Sequence, residues 1–441
     1  MENVDILITA RWVIPVEPAG VVLNSHSVAV RGGCIVAVLP SGEAAQRFTA
    51  AETIDLAEHA LIPGLINLHT HAAMSLMRGL ADDLPLMTWL NQHIWPTEAK
   101  HVSPEFVRDG TKLACMEMLR GGVTCFNDMY FFPESAAQAA LDCGMRAAIG
   151  IITIDMPTAY AADADDYLAK GLAARDHYKD EPLISFCMAP HAPYTVADRA
   201  FARVVTLAEE LDLPIHLHLH ETREEIEGSL TQCGRRPLQR MHSLGVLGPR
   251  LIAVHAVHLE NHEIELLARH GASVAHCPSS NLKLASGFAP IHKLHAAGVN
   301  IGLGSDGAAS NNRLDLFQEM RLAALLAKGA SGDTQAMPAH AALHAATLGG
   351  ARALGLDRNL GSIIPGKSAD LCAVEFASPG LLPCYNPVSH LVYAAGRENV
   401  THVWVEGKAR LLDGEITANH AVGVDKIARM WQDKLVAQTK G

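Results

Sequence analysis

The sequence predicts an α/β fold: a TIM-like (β/α)8 barrel with a small β-sandwich formed by the N- and C-terminal segments. Eight short, β-rich apolar runs alternate with helical segments over about 300 residues, as in such a barrel. Strand patterns without long helices precede this region and return after it. Polar residues, above all histidine, follow several of the apolar runs, which places a candidate active site at one end of the barrel.

Both ends of the chain are predicted to build the sandwich, 1–59 as its N-terminal part and 364–441 as its C-terminal part with a terminal helix. The strand patterns of these two segments are short, and they lie at 5–8, 27–30, 34–38, 370–375 and 400–405. The pair Gly32-Gly33 provides a tight turn between two of the N-terminal strands.

Residues 60–363 are predicted to form the catalytic barrel. Its strands are expected at the eight apolar runs 60–69, 123–127, 146–153, 183–188, 214–220, 251–257, 272–277 and 299–304. Helix signals lie between them. Ser103, Pro104 and Glu105 suit a cap and a first helical turn, and Gly121 suits the end of that helix.

An open, doubly wound sheet is the main alternative to the barrel. It would be expected to carry a glycine-rich phosphate turn, or a site on two neighbouring strands where the strand order reverses. The segment Gly302-Leu303-Gly304 ends a strand, but Ser305-Asp306 follows it rather than a phosphate-binding turn. The barrel therefore fits the sequence better.

The composition restricts location and partners. A formal net charge of −12 is unfavourable for binding nucleic acid, which needs Lys and Arg opposite its phosphates, and for binding anionic membranes. The nine cysteines are scattered, as in a reduced cytoplasmic protein. We see no signal peptide and no apolar run of the ~20 residues that span a bilayer. We expect a cytoplasmic protein with neither nucleic-acid nor membrane partners.

Several predicted strands end in side chains that could bind a metal ion. The first ends in His69-Thr70-His71, and residues i and i+2 of a strand share a face, so two imidazoles can hold one ion. Further candidates at strand ends are His191, His216, His218, His220, Glu221, His255, His258 and Asp306. Because barrel strands deliver their carboxyl ends to one face, these groups predict a metal-and-acid site there.

Two questions stay open from the residues alone. His216, His218 and His220 share one face of their strand, so parity does not select the ligand among them. His276 suits either a site or a packing role, whereas Cys277 has no second cysteine at a suitable spacing and is expected to be structural.

These residues resemble the amidohydrolase superfamily over nearly the whole chain. The matching motifs lie at 63–71, 218–222, 304–307 and 366–371. Within the superfamily the chain is most similar to the 5-methylthioadenosine/S-adenosylhomocysteine deaminases of the chlorohydrolase/aminohydrolase branch. That similarity depends on the stretches 77–84, 89–90, 96–98, 190–194, 278–284 and 305–312.

The resemblance implies one divalent metal ion with four ligands: His69, His71, His218 and Asp306. The family pattern places the fifth-strand ligand three residues before the acid, which selects His218 together with Glu221. Many superfamily members hold two metal ions bridged by a carboxylated lysine on the fourth strand, but 183–188 contains no lysine, so a single ion is expected. The donor set suits Zn²⁺, with Fe²⁺ and Mn²⁺ as open alternatives.

The implied reaction is hydrolytic deamination of 5′-methylthioadenosine, S-adenosylhomocysteine and/or adenosine to the inosine-type product and ammonia. Asp306 is expected to accept the water proton, and His255 to stabilise the hydroxide and the developing charge. Glu221 is expected to protonate ring atom N1, because a purine resists attack until a ring nitrogen is protonated.

The resemblance also implies substrate contacts. Glu98 would bind the ribose 2′ and 3′ hydroxyls, Trp89 would form an apolar wall, and His191 would donate to the purine on its N3 side. Arg146 occupies a position associated with larger, carboxylate-bearing substrates, and a structural ion pair is the equal alternative. The family further favours a homodimer or a tetramer.

Two other functions compete with this interpretation. One is another aminohydrolase of the same branch, acting on guanine, 8-oxoguanine, cytosine or a triazine; a free-base enzyme would have no need of Glu98. The other is a catalytically inactive binding or assembly barrel, which predicts broken ligands, whereas all the metal and acid candidates are present.

Overall fold

The computed structural model describes residues 1–417 and 423–436, and its strands form two sheets. The strands, numbered in chain order, are β1 (Glu2–Val13), β2 (Leu23–Arg31), β3 (Cys34–Pro40), β4 (Phe48–Pro63), β5 (Leu65–Thr70), β6 (Val123–Asp128), β7 (Arg146–Thr153), β8 (Ile184–Pro190), β9 (Ile215–Leu219), β10 (Leu251–His255), β11 (Ser273–His276), β12 (Asn300–Leu303), β13 (Leu371–Glu375), β14 (Val400–Val405), β15 (Lys408–Leu412) and β16 (Glu415–Ile416).

The helices lie mainly between the strands of the second sheet and after it. The α-helices are Ser41–Arg47, Leu86–Trp89, Trp95–His101, Pro104–Arg120, Pro133–Cys143, Ala164–Tyr178, Asp198–Leu211, Arg223–Cys233, Pro237–Ser243, Asn261–His270, Pro278–Lys283, Ile291–Ala296, Ala308–Asn311, Leu316–Ser331, Ala339–Ala345, Leu348–Ala353, Pro387–Tyr393 and Val424–Val436. The predicted cap is confirmed, because the Ser103 hydroxyl accepts the Phe106 N–H at 3.2 Å.

The second sheet is the predicted barrel. Strands β5 to β12 follow one another in chain order, and every neighbouring pair is parallel. The barrel closes where β12 meets β5: the Asp306 N–H donates to the His69 carbonyl at 3.0 Å, and the Ser305 N–H donates to Asn67 Oδ1 at 2.9 Å. The eight-stranded prediction is therefore confirmed.

The first sheet unites the two ends of the chain, as predicted. Its strand order is β16-β15-β14-β13-β4-β1-β2-β3, so the C-terminal strands join the N-terminal ones where β13 pairs with β4. Fully buried Trp404 packs with Ile8 and Val28 in the apolar core of this sheet. Burial of this shared apolar surface stabilises the pairing of segments that are far apart in sequence.

The sequence predicts one strand over the apolar run 60–69, whereas the structure divides it at Gly64. Residues up to Pro63 belong to the first sheet, and β5 begins the barrel at Leu65. A Cβ at position 64 would lie 2.1 Å from Thr124 Oγ1, so only glycine allows the chain to cross here between the two sheets.

The predicted domain limits at 59/60 and 363/364 stay predictions. The terminal helix Val424–Val436 packs on the barrel helix Pro104–Arg120, where Trp431 lies 5.1 Å from Phe106, measured between ring centroids. Positions 418–422 and 437–441 of the predicted C-terminal part lie outside the described residues. Among the helices of the described chain, none is long and apolar enough to cross a membrane.

Candidate metal centre and active site

Three imidazoles and one carboxylate meet at the carboxyl ends of the barrel strands. Nε2 of His69 lies 3.2 Å from Nε2 of His218 and 3.3 Å from Oδ1 of Asp306. Nε2 of His71 lies 3.4 Å from the same Asp306 oxygen. The structure thus brings the four predicted metal ligands close together, from β5, from β9 and from the residues that follow β12. Their donor atoms lie in two overlapping groups, one of His69, His71 and Asp306 and one of His69, His218 and His255.

Hydrogen bonds on the far side of the rings fix their orientation. Nδ1 of His71 donates to the Met129 carbonyl at 2.5 Å, and Nδ1 of His218 donates to the His191 carbonyl at 2.8 Å. Because a carbonyl only accepts, both rings must carry their proton on Nδ1, and their Nε2 lone pairs face the centre. Burial lowers the pKa of His69 to about 4 and that of His218 well below its usual value, which keeps both rings neutral.

This donor set fits a divalent cation. Neutral imidazole nitrogens that face one another in a buried centre repel unless a cation lies between their lone pairs. Asp306 is oriented to bind the same cation. Its Oδ2 accepts hydrogen bonds from the Ser280 and Ser310 hydroxyls at 2.6 and 2.8 Å, while its Oδ1 faces the histidines. Three nitrogens and one oxygen are a typical set for Zn²⁺.

The three histidines at the end of β9 make different contacts, and these contacts distinguish their roles. His218 faces the centre, whereas Nε2 of His216 lies 2.9 Å from Nδ1 of His69, on the outer side of that ring. His220 turns away, and its Nε2 accepts the Leu238 N–H at 2.9 Å. Of the three, His218 is therefore the one that points a nitrogen at Nε2 of His69, on the side of that ring where the candidate ligands meet.

An acid and a further imidazole lie beside the centre. Nδ1 of His255 donates to Oδ1 of Asn281 at 2.9 Å, and its Nε2 lies 3.8 Å from Oε2 of Glu221. Burial raises the pKa of Glu221, which favours a protonated carboxyl able to give a proton to a bound molecule.

A cavity opens over these groups and contains the other predicted substrate residues except one. Its polar and aromatic lining includes His71, Trp89, Glu98, Tyr130, His191, Tyr194, Glu221, His255 and Asp306. Glu98 accepts a hydrogen bond from the Tyr130 hydroxyl at 2.7 Å, and burial raises its pKa to about 7. None of the described residues that line this cavity is Arg or Lys.

Arg146 is the exception, and its predicted contact with substrate needs correction. It begins β7, at the amino ends of the strands, whereas the cavity lies at their carboxyl ends. Its guanidinium pairs with Asp370 at 2.8 Å and with Glu406 at 3.1 Å, which joins the barrel to the first sheet. The structural ion pair, the alternative that the sequence left open, is what the contacts support.

The Arg146→Ala variant should therefore lose stability and not substrate affinity. Asp370 would stay buried without its partner, which should lower the free energy of unfolding by about 3 kcal/mol. Arg11→Ala is the matched control, because its pair with Glu58 is about half exposed and should contribute less than about 1 kcal/mol. Denaturant unfolding measures both variants; a raised KM for S-adenosylhomocysteine at unchanged stability would contradict this assignment.

Sequence reasoning missed several groups that support the site. Tyr130 closely follows the end of β6, so the strand-end rule that found the histidines could have found it too. Ser280 and Asn281 lie in the motif at 278–284, but no spacing rule indicates that they hold Asp306 and His255. A contact between two side chains has no recognisable spacing in a single sequence, so it cannot be predicted from one.

Comparison with known proteins agrees with this geometry. The sequence model of the amidohydrolase family matches residues 60–410. The chain is 47% identical to a 5-methylthioadenosine/S-adenosylhomocysteine deaminase of Saccharophagus degradans, over 98% of this chain and 97% of that protein. It is 46% identical to the enzyme of the same name from Teredinibacter turnerae, over 99% of each chain.

A solved structure is also similar to this chain over nearly its full length. The crystal structure of an adenosine deaminase from Xanthomonas campestris with bound zinc superposes with a TM-score of 0.98, at 51% identity and over 99% of both chains. The likeness extends through the barrel and the first sheet alike. The chain belongs to the amidohydrolase family.

Proposed function

We propose that this protein catalyses the metal-dependent hydrolytic deamination of adenine nucleosides, with 5′-methylthioadenosine, S-adenosylhomocysteine and adenosine as candidate substrates. The observation that carries the proposal is the position of the buried acid Glu221 beside the four-ligand centre, with Glu98 in the same cavity. The names of relatives at 46% to 51% identity support it.

The proposed cofactor is one Zn²⁺ ion held by His69, His71, His218 and Asp306. When bound, such an ion supplies a hydroxide nucleophile at neutral pH, because it lowers the pKa of water to about 7. Zinc in the 51% identical structure supports this choice. The absence of lysine from β8 supports a single ion.

The protein's own groups would move the protons. Asp306 would accept the proton of the attacking water, and protonated Glu221 would give its proton to N1 of the purine, which makes C6 electrophilic. The water oxygen would bond to C6, and the bond from C6 to the exocyclic nitrogen would break. Asp306 would pass its proton to that nitrogen, which leaves as ammonia, while the remaining hydroxyl proton would return to Glu221 and the proton on N1 would stay in the product. In its doubly protonated form, His255 would donate from Nε2 to the oxygen that attacks while its Nδ1 donates to Asn281, and its positive charge would stabilise that oxygen.

The remaining lining would hold the nucleoside. We propose that Glu98 accepts both ribose hydroxyls, that Trp89 packs against the substrate, and that His191 donates to the purine. Nδ1 of His191 lies 2.9 Å from the Thr195 hydroxyl; when that hydroxyl donates to Nδ1, the ring proton is on Nε2, which can then donate to the substrate. Since the described lining offers no cation to the carboxylate of S-adenosylhomocysteine, we expect 5′-methylthioadenosine and adenosine to react faster.

The Glu98→Ala variant should lose nucleoside binding. Two charge-assisted hydrogen bonds of about 1.5 kcal/mol each correspond to a loss of about 10²-fold in kcat/KM. In the wild type, KM should rise as the pH falls below about 7, because Glu98 is then protonated and accepts less well. Glu98→Gln should make KM insensitive to pH in this range. Steady-state kinetics between acidic and neutral pH measure both effects; full activity of Glu98→Ala would favour a free-base substrate.

The proposed function is tested by ammonia release from zinc-loaded protein given 5′-methylthioadenosine, S-adenosylhomocysteine, adenosine and free adenine in parallel. Release from the nucleosides and none from adenine is the expected result. Release from none of them would overturn the proposal and favour a guanine, 8-oxoguanine, cytosine or triazine substrate. The homodimer or tetramer and the cytoplasmic location stay predictions.

A further inference from the structure

A second buried glutamate binds the backbone that carries Glu221. The Oε1 atom of Glu225 accepts the N–H of His220 at 3.0 Å, and its Oε2 atom accepts the N–H of Glu221 itself at 2.8 Å. Glu225 lies in the third position of the helix Arg223–Cys233, and its own N–H donates to the Thr222 hydroxyl at 3.2 Å. One carboxylate thus holds two consecutive peptide groups at the end of β9.

The backbone at this point needs such a partner. His220 has a φ of +58°, in the left-handed region that residues other than glycine rarely adopt. The chain leaves the sheet here, so neither N–H that Glu225 accepts is paired within the barrel. The side chain of His220 is held separately through Nε2 and Nδ1, by the Leu238 N–H and the His258 carbonyl.

We propose that Glu225 is a positioning residue for the deamination: its carboxylate fixes the peptide groups of His220 and Glu221 and thereby aims the Glu221 carboxyl at the ring nitrogen of the substrate. This inference rests on the proposed function. It assigns to Glu225 more than a helix cap, because the cap alone would need no contact with the Glu221 peptide. Small displacements of a proton donor are costly, so the effect should lie in kcat.

Glu225→Gln is the direct test. The amide keeps the shape but presents an NH₂ group to one of the two backbone N–H groups, so one hydrogen bond is lost and two donors face each other. With 5′-methylthioadenosine, kcat should fall by about 10- to 100-fold while KM changes little. Glu225→Asp, which is one methylene shorter and reaches only one N–H, should show a fall in the same direction.

Asp315→Asn is the matched control. Asp315 is also a buried carboxylate that accepts two consecutive backbone N–H groups, those of Phe317 and Gln318 at 3.1 and 3.2 Å, but it does not touch the Glu221 backbone. The control should leave kcat close to that of the wild type. The proposal would be overturned if Glu225→Gln and Asp315→Asn lost kcat to the same extent, in proportion to the loss of melting temperature in each.

A crystal structure of Glu225→Gln separates this inference from the proposed function. The Glu221 carboxyl should be displaced or should occupy several positions, and an unchanged Glu221 would overturn the positioning role. This result does not depend on which substrate the enzyme uses. A wild-type protein that deaminates no adenine nucleoside would refute the proposed function, while the crystal structure would still decide the role of Glu225.

Discussion

The Glu221→Gln variant is expected to lose about 10²- to 10⁴-fold in kcat, the usual contribution of a general acid, with little change in KM. Glutamine has the shape of the acid but cannot give up a proton at neutral pH, and the purine then stays unprotonated during attack. Burial raises the pKa of Glu221, which favours the protonated form that the step requires. Steady-state kinetics with 5′-methylthioadenosine measure the loss, and zinc content should be unchanged.

Glu227→Gln is the control for this substitution. Glu227 lies on the helix Arg223–Cys233, which follows Glu221 in the chain, and is exposed to solvent. The same chemical change there should leave kcat and KM close to wild type. A Glu221→Gln variant with near-normal kcat would contradict the assignment of Glu221 as the acid.

The His218→Ala variant is expected to bind no zinc and to lose at least about 10³-fold in activity, since a catalytic metal ion contributes several kcal/mol. His218 supplies one of the three nitrogens of the proposed zinc site. Without it the ion would keep three protein ligands and one more water, so it would be bound more weakly. Metal content after gel filtration, measured together with kcat, checks this expectation.

The neighbouring histidines provide the controls. His216→Gln should weaken zinc binding by about 10- to 100-fold without abolishing it, because His216 holds His69 and does not face the centre. His220→Gln should retain zinc, because His220 contacts the Leu238 peptide instead. Zinc lost from His216→Gln and retained by His218→Ala would reverse the ligand assignment.

The sequence predicts the barrel well because two regular signals coincide. Apolar runs mark the eight strands, and polar residues mark the ends at which they meet. The prediction of one strand over 60–69 is wrong. The apolar pattern there is continuous, and only the close approach of Thr124 shows why the chain must change sheets at Gly64. Such a contact joins residues far apart in sequence and leaves no periodic signal.

The sequence predicts some residues of the candidate site and leaves others undecided. The pair His69 and His71 follows from spacing alone, but parity leaves three choices on the fifth barrel strand, and the family resemblance is needed to select His218. The structure reaches the same choice from hydrogen bonds on the outer side of the rings. Arg146 shows the limit of resemblance, since a matching position does not reveal that Asp370 and Glu406 already hold the guanidinium.

Zinc titration of metal-free protein, followed by the rate of 5′-methylthioadenosine deamination, is the most direct test of catalysis by a single metal ion. We expect no activity without metal and a linear rise to a plateau at one zinc ion per chain. A plateau that required a second ion would contradict the single centre formed by His69, His71, His218 and Asp306. Full activity of the metal-free protein would contradict the metal-dependent mechanism altogether.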